Sequence, residues 1–353
     1  MTSALPPAAD ADHLTIVLRK AGVLGETGVR EVVAVSSFPK LRSLTRRLQL
    51  DYDGSAGDAP HSLILKMGHL DSAGRSSYAN RDELAFYRDV APALPAGVVP
   101  RCFEAVEAND TSAWHLLLED LTESHFIATE WPLPPTFEQC DAMVQALAGI
   151  HAAWWDHPRL GVSIGNWRNP EGWDQLLRTM ADQFTWFTDR YGAMMPPERR
   201  DLYRRLLDRA PRLLARYYSR RNLTIIHGDA HPWNFFLPRA NEGQKVRLLD
   251  WEDWGLDTAT DDLAYMMAML WYPDRRRRME RPLLDRYHAT LLAHGVSGYD
   301  RQTLDDDYRL SALWLITRPI GQAANNIAAR VWWNNLERIM LAVDDLGCRE
   351  LLG

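Results

Sequence analysis

Apolar residues first recur at helical spacing over residues 10–22, where Leu14, Val17, Leu18 and Ala21 fall on one face and Gly22 follows as a stop. The pattern predicts an opening helix that covers whatever follows it. Strand-like runs come next at residues 31–38, 44–52 and 62–67, and the turn-rich DGSAGDAP at residues 53–60 separates the second from the third. Residues 77–90 return to a helical pattern. Two further strands, 102–107 and 114–119, are predicted on either side of a turn at 108–111.

Beyond the Pro-rich WPLPPT at residues 131–136 the pattern becomes helical, with stretches at 137–155, 173–191, 197–219 and 260–271 and several more toward the C-terminus. One β element interrupts it. Residues 223–226 are strand-like, and 234–237 and 246–249 form a hairpin across a polar turn at 239–244. No internal repeat or low-complexity tract occurs. The pattern predicts an α+β chain: an N-terminal lobe over residues 1–120, with a five-stranded antiparallel sheet and a helix, then a larger, mostly helical lobe over residues 121–353.

Composition narrows the function classes. The chain has 353 residues, 46% hydrophobic and 25% charged, which is ordinary globular usage and enough for two cores. With 40 Lys and Arg against 47 Asp and Glu, the net charge of −7 argues against a general nucleic-acid binder and suits a neutral or cationic small substrate. Cys102, Cys140 and Cys348 have no CxxC spacing, so a reducing compartment is expected and neither a disulfide framework nor a cysteine zinc site is predicted. The N-terminal MTSALPPAADADHL has no basic or apolar signal region, and no apolar run approaches the roughly 20 residues that span a bilayer. A cytoplasmic protein without a membrane partner is the expectation.

Chemistry concentrates in Ile226-His227-Gly228-Asp229-Ala230-His231-Pro232-Trp233-Asn234. Phosphoryl transfer needs a carboxylate to orient an attacking hydroxyl and accept its proton, together with oxygen ligands for Mg²⁺ beside the phosphates. Asp229 and Asn234 supply a base and a ligand in one loop, and the predicted hairpin returns a second carboxylate, Asp250, as the other Mg²⁺ ligand. Singly, such Asp, Asn and His residues are more often turn-formers and caps. His227 and His231 show no metal-ligand pattern, and His227 is expected to hold the loop through the backbone.

HGDxHxxN followed by LLDWE resembles the aminoglycoside phosphotransferase and choline kinase family, relatives of protein kinases. The resemblance extends to Asp262 in DDLAYMM, which it implies supports the catalytic loop, although Asp262 also reads as a plain helix N-cap. It implies a bilobal protein kinase-like fold and an ATP- and Mg²⁺-dependent kinase. In that family a strand Lys binds phosphate while paired with a helix Glu; Lys66 in HSLILKMG and Glu83 in NRDELAFYRDV stand in those places. The next strand, HLLLEDL, resembles the hinge, where backbone groups of Glu119 and Leu121 would recognise adenine. One departure is the segment SSFPKLRSLT between the first two strands, which has no glycine; Ser36, Ser37 and Ser43 could contact phosphates instead.

The acceptor is not named by the motif. Trp154, Trp155, Trp254, Trp314, Trp332 and Trp333 could form an aromatic cage for a quaternary amine, but Trp154 continues the helical stripe Met143, Leu147, Ile150, which favours core. Glu252, Asp253 and Asp257 could attract a cation or form a solvated acidic loop. Two alternatives stand beside a small-molecule O-kinase: a catalytically silent nucleotide-binding module, and a protein kinase. Gly228 in place of the HRD arginine, and the lack of an APE-type segment, argue against the latter.

Overall fold

The computed structural model describes residues 5–39, 43–69, 80–108, 113–239 and 245–353. Two compact units are present: one comprises residues 1–126 and 236–252, the other residues 127–235 and 253–353. The hairpin segment that carries Asp250 therefore groups with the N-terminal part of the chain, which a single cut at residue 120 does not anticipate.

In the first unit, helix α1 (Ala11–Lys20) starts where the Asp10 carboxylate accepts the Asp12 and His13 N–H groups, and it buries Leu14, Val17 and Leu18. Strands β1 (Val29–Pro39), β2 (Ser43–Tyr52), β3 (Ser62–Gly68), β4 (Cys102–Val106) and β5 (His115–Glu119) form an antiparallel sheet in the order β1-β2-β3-β5-β4. Leu48, Leu50, Leu63, Leu65 and Leu117 join the α1 residues in one core. Because strand side chains alternate, Lys66 projects from the other face, in register with Thr45 and Leu116.

The helix expected at 77–90 is described from Asn80 on, its first three residues lying outside the described ones. It is an α turn, α2 (Arg81–Ala85), that loosens into a π turn over Phe86–Val90. Residues 40–42, between the first two strands, and 109–112 and 240–244, which overlap two predicted turns, are likewise outside the description. Ser36 and Ser37 lie in β1, within the predicted strand, and Ser43 opens β2 one residue before the predicted start, with Ser36 opposite Arg47 and Ser37 opposite Arg46.

The second unit contains helices α3 (Phe137–Ala153), α4 (Pro170–Tyr191), α5 (Pro197–Leu213) and α6 (Ala215–Tyr218), then α7 (Thr260–Ala264), α8 (Pro273–Ala293), α9 (Arg301–Trp314), α10 (Thr317–Ala324) and α11 (Ala329–Asp345). Thr136 and Gln139 form a reciprocal capping box at the start of α3. The single helix expected over 197–219 is broken at Leu214, three residues beyond Pro211, and the one over 260–271 passes into a π turn at Tyr265–Met269. Strand β6 (His125–Ile127) lies beside β8 (Phe235–Pro238), which neighbours β9 (Arg247–Leu248); all of β9 and most residues of β6 and β8 belong to the first unit. Strand β7 (Thr224–Ile226) does not join that sheet; it pairs with β10 (Gly255–Asp257), an element too short and polar for the pattern to show.

Candidate active site

Each unit holds one part of the expected constellation. In the first, Lys66 is 7% exposed, and its Nζ donates to Glu83 Oε1 at 2.9 Å and to Asp250 Oδ1 at 2.6 Å. Asn80 fixes the other Glu83 oxygen through its Nδ2 at 2.6 Å. Burial by itself would lower the Lys66 pKa, but Glu83 and Asp250 outweigh it and hold the ammonium above its ordinary value. The cation is therefore permanent, and two side chains from distant points of the sequence keep it in place.

Asp250 itself has φ +66°, a left-handed conformation that Asp tolerates better than most residues. Its neighbour Trp251 explains why the backbone stays there. The buried indole stacks on Phe86 with ring centroids 3.9 Å apart, and its Nε1 donates to Leu248 O at 3.0 Å. Phe86 follows Glu83 by three residues, so one aromatic pair ties the Glu83 helix to the Asp250 turn.

Of the two residues expected at the hinge, Glu119 donates its N–H to Arg101 O at 2.8 Å, and its carboxylate accepts the Arg101 N–H at 3.0 Å. The Leu121 carbonyl accepts from the Ser124 and His125 N–H groups, whereas the N–H of this buried residue has no acceptor among the described residues.

In the second unit, the loop after β7 is built around the fully buried Asp262. Its Oδ2 accepts the His227 N–H at 2.7 Å and its Oδ1 the Gly228 N–H at 2.8 Å. It sits within α7 and braces the loop; its N-cap reading is not what the structure shows. Burial pushes the Asp262 carboxyl up, but its bonds and charges with His151 and His227 carry it below the ordinary range. His227, also buried, presents Nδ1 to the Asp229 N–H at 3.2 Å. Gly228 has φ +77°, and a Cβ there would meet Asp253 O at 2.2 Å. The position that carries Arg in an HRD loop must here be glycine.

Asp229 is held at its carboxylate by Arg318, whose Nη2 donates to Oδ1 at 2.9 Å while Nη1 donates to Gly228 O at 2.9 Å. Arg318 also lies over the Tyr265 ring, 4.5 Å from its centroid. His231 Nε2 stands 3.5 Å from Asp229 Oδ2. Asn234 closes the loop by donating from Nδ2 to Asp229 O at 3.0 Å, so its amide nitrogen, not its oxygen, serves the loop.

Sequence reasoning missed Arg318 and His151. Arg318 is an ordinary second residue of α10, ninety residues from Gly228. His151 ends an apolar stripe on α3 and looks like a core histidine, yet its Nε2 is 3.2 Å from Asp262 Oδ2 and its Nδ1 2.8 Å from Tyr287 Oη. The tryptophans fall into separate clusters: Trp154 packs on His157, Trp155 on Tyr299, and Trp332 among Phe187, Tyr191 and Trp333. Of the acidic residues predicted near the loop, Asp253 is exposed and Asp257 partly buried, and burial of its carboxyl pushes the pKa up to about 6.

The phosphotransferase enzyme family matches residues 52–301. No curated protein matches. Among solved structures, a candidate aminoglycoside phosphotransferase from Ralstonia eutropha aligns with a TM-score of 0.59 at 14% identity, covering 97% of this chain and 99% of that one. A choline/ethanolamine kinase family protein from Mesorhizobium loti gives 0.53 at 14%, covering 94% and 93%, and a microcompartment-associated aminopropanol kinase gives 0.53 at 16%, covering 96% and 100%. At these identities the likeness shows the kinase-like fold.

Proposed function

The chain belongs to the phosphotransferase enzyme family, and from that premise we propose that it is an ATP- and Mg²⁺-dependent kinase that phosphorylates a hydroxyl of a small molecule. The observation that supports this reading is the loop braced by Asp262, which holds Asp229 and Asn234 together, the residues the reading takes as base and oxygen ligand.

In the proposed reaction the acceptor oxygen attacks the γ-phosphorus, the bond to the β-phosphate bridging oxygen breaks, and Asp229 takes the acceptor's proton. Arg318 fixes the rotamer of Asp229 while this happens. Lys66 binds the α- and β-phosphates, kept in position by Glu83. The Leu121 N–H and the Glu119 carbonyl would receive the adenine edge. The oxygen donors of Asn234 and Asp250 suit Mg²⁺, which when bound neutralises phosphate charge. The acceptor is a hydroxylated small molecule, neutral or cationic. Arg318 beside the base offsets the acidic charge of Asp253. We place the protein in the cytoplasm; no helix of the described residues is long and apolar enough to cross a membrane.

One observation favours a second reading, a nucleotide-binding module without turnover: Asp229 is already ion-paired, with Arg318. A screen of ATP consumption over hydroxylated metabolites and antibiotics separates the two. The kinase reading expects turnover with at least one acceptor and its loss in Asp229→Asn. Mg²⁺-dependent ATP binding without product across the panel would favour the silent module.

A further inference from the structure

Three side chains in the first unit converge away from the residues discussed above. His13 lies on α1, Glu104 on β4 and His115 at the start of β5. His115 is in register with Val106, two residues from Glu104, so Glu104 and His115 share one sheet face; His13 approaches it from the helix. That face carries Leu117 and the α1 core, whereas Lys66 is in register with Leu116 and projects oppositely.

Both histidines direct Nε2 at the same atom, Glu104 Oε2, each at 2.8 Å. Their rings stand 77° apart, with centroids separated by 6.2 Å, and one donor atom from each of the three residues lies within 4.8 Å of the others. His115 is 11% exposed, Glu104 23% and His13 35%, so the cluster is walled on the sheet side and open to water on the helix side.

We propose that His13, Glu104 and His115 form a binding site for a divalent late transition metal, Zn²⁺ foremost, that ties α1 to strands β4 and β5. Two imidazole nitrogens and a carboxylate oxygen are a donor set that zinc accepts, with metal–ligand distances of about 2.0–2.2 Å that place tetrahedral donors about 3.4 Å apart. Opening the two 2.8 Å contacts to that spacing takes only small side-chain rotations. The imidazoles bind as neutral rings through Nε2, with the ring proton on Nδ1, the carboxylate is ionised, and a water fills the fourth position from the open side; the metal keeps its oxidation state. In the unliganded cluster, burial raises the Glu104 pKa but the hydrogen bonds from His115 and His13 bring it below its ordinary value; metal binding replaces those bonds and shifts each ring proton to Nδ1. A plain hydrogen-bonded staple is the competing account. In it one carboxylate oxygen accepts from both rings, as its two lone pairs allow, and the metal titration separates the two accounts.

The test titrates the metal-stripped full-length protein with zinc chloride alone by calorimetry, and records the visible spectrum of the cobalt(II)-loaded protein. The proposal expects one ion per chain, intense tetrahedral cobalt bands, and at least about tenfold weaker binding with loss of those bands in His13→Ala and His115→Ala. Binding unchanged in both variants, or no wild-type binding below millimolar zinc, would overturn it. Should the substituted chains fail to fold, the wild-type cobalt spectrum decides, with weak octahedral bands counting against the site. None of these readouts involves phosphoryl transfer.

Discussion

The site residues differ in how far their surroundings commit them. Asp262 is committed most, because it satisfies two loop N–H groups and faces His151 in a fully buried position. Asp262→Asn should cost about 2–4 kcal/mol of stability. Since its folded pKa is depressed, that contribution is present above the unfolded value of about 3.9 and is lost as pH falls through the folded one. Denaturant unfolding of both proteins at pH 7 and below pH 4 checks this: the gap should be full at the first and shrink at the second. Gly228→Ala should cost about 2 kcal/mol or more, from its left-handed backbone and the approach of Asp253 O, with loss of activity. At Lys66, substitution by Met should raise KM for ATP and leave affinity for the acceptor largely unchanged, as initial-rate kinetics would show.

At the scale of elements, the hydrophobic pattern found α1 and β1 to β5 to within about two residues, because their alternation and helical spacing are imposed by a single core. It did not find β6 or β10, which lie in no longer apolar run, whereas the equally short β7 sits in the apolar stretch at residues 223–226. Nor did it find the π turns, which depend on backbone packing. The chemical loop was legible because its residues are close in sequence. Arg318 was not, because only the fold brings α10 to Asp229. The Phe86–Trp251 stack couples two elements that the sequence separates widely. Trp251→Ala should destabilise the protein by about 3–5 kcal/mol and weaken Mg²⁺-dependent nucleotide binding through Asp250, measurable by calorimetry on the folded fraction.

For the whole molecule, Lys66 and Asp250 belong to the first unit and Asp229 and Asn234 to the second, and each pair is ordered by contacts within its own unit. The family match over residues 52–301 spans segments of both. Fold and reaction class follow from these features, while the acceptor depends on side chains that no motif marks. The most direct measurement is phosphorus NMR of the wild type and Asp229→Asn with ATP, Mg²⁺ and an acceptor found in the screen. A new phosphomonoester resonance with stoichiometric ADP for the wild type, and a rate at least about a thousandfold lower for the variant, is the predicted result; an undiminished rate in Asp229→Asn would contradict the account.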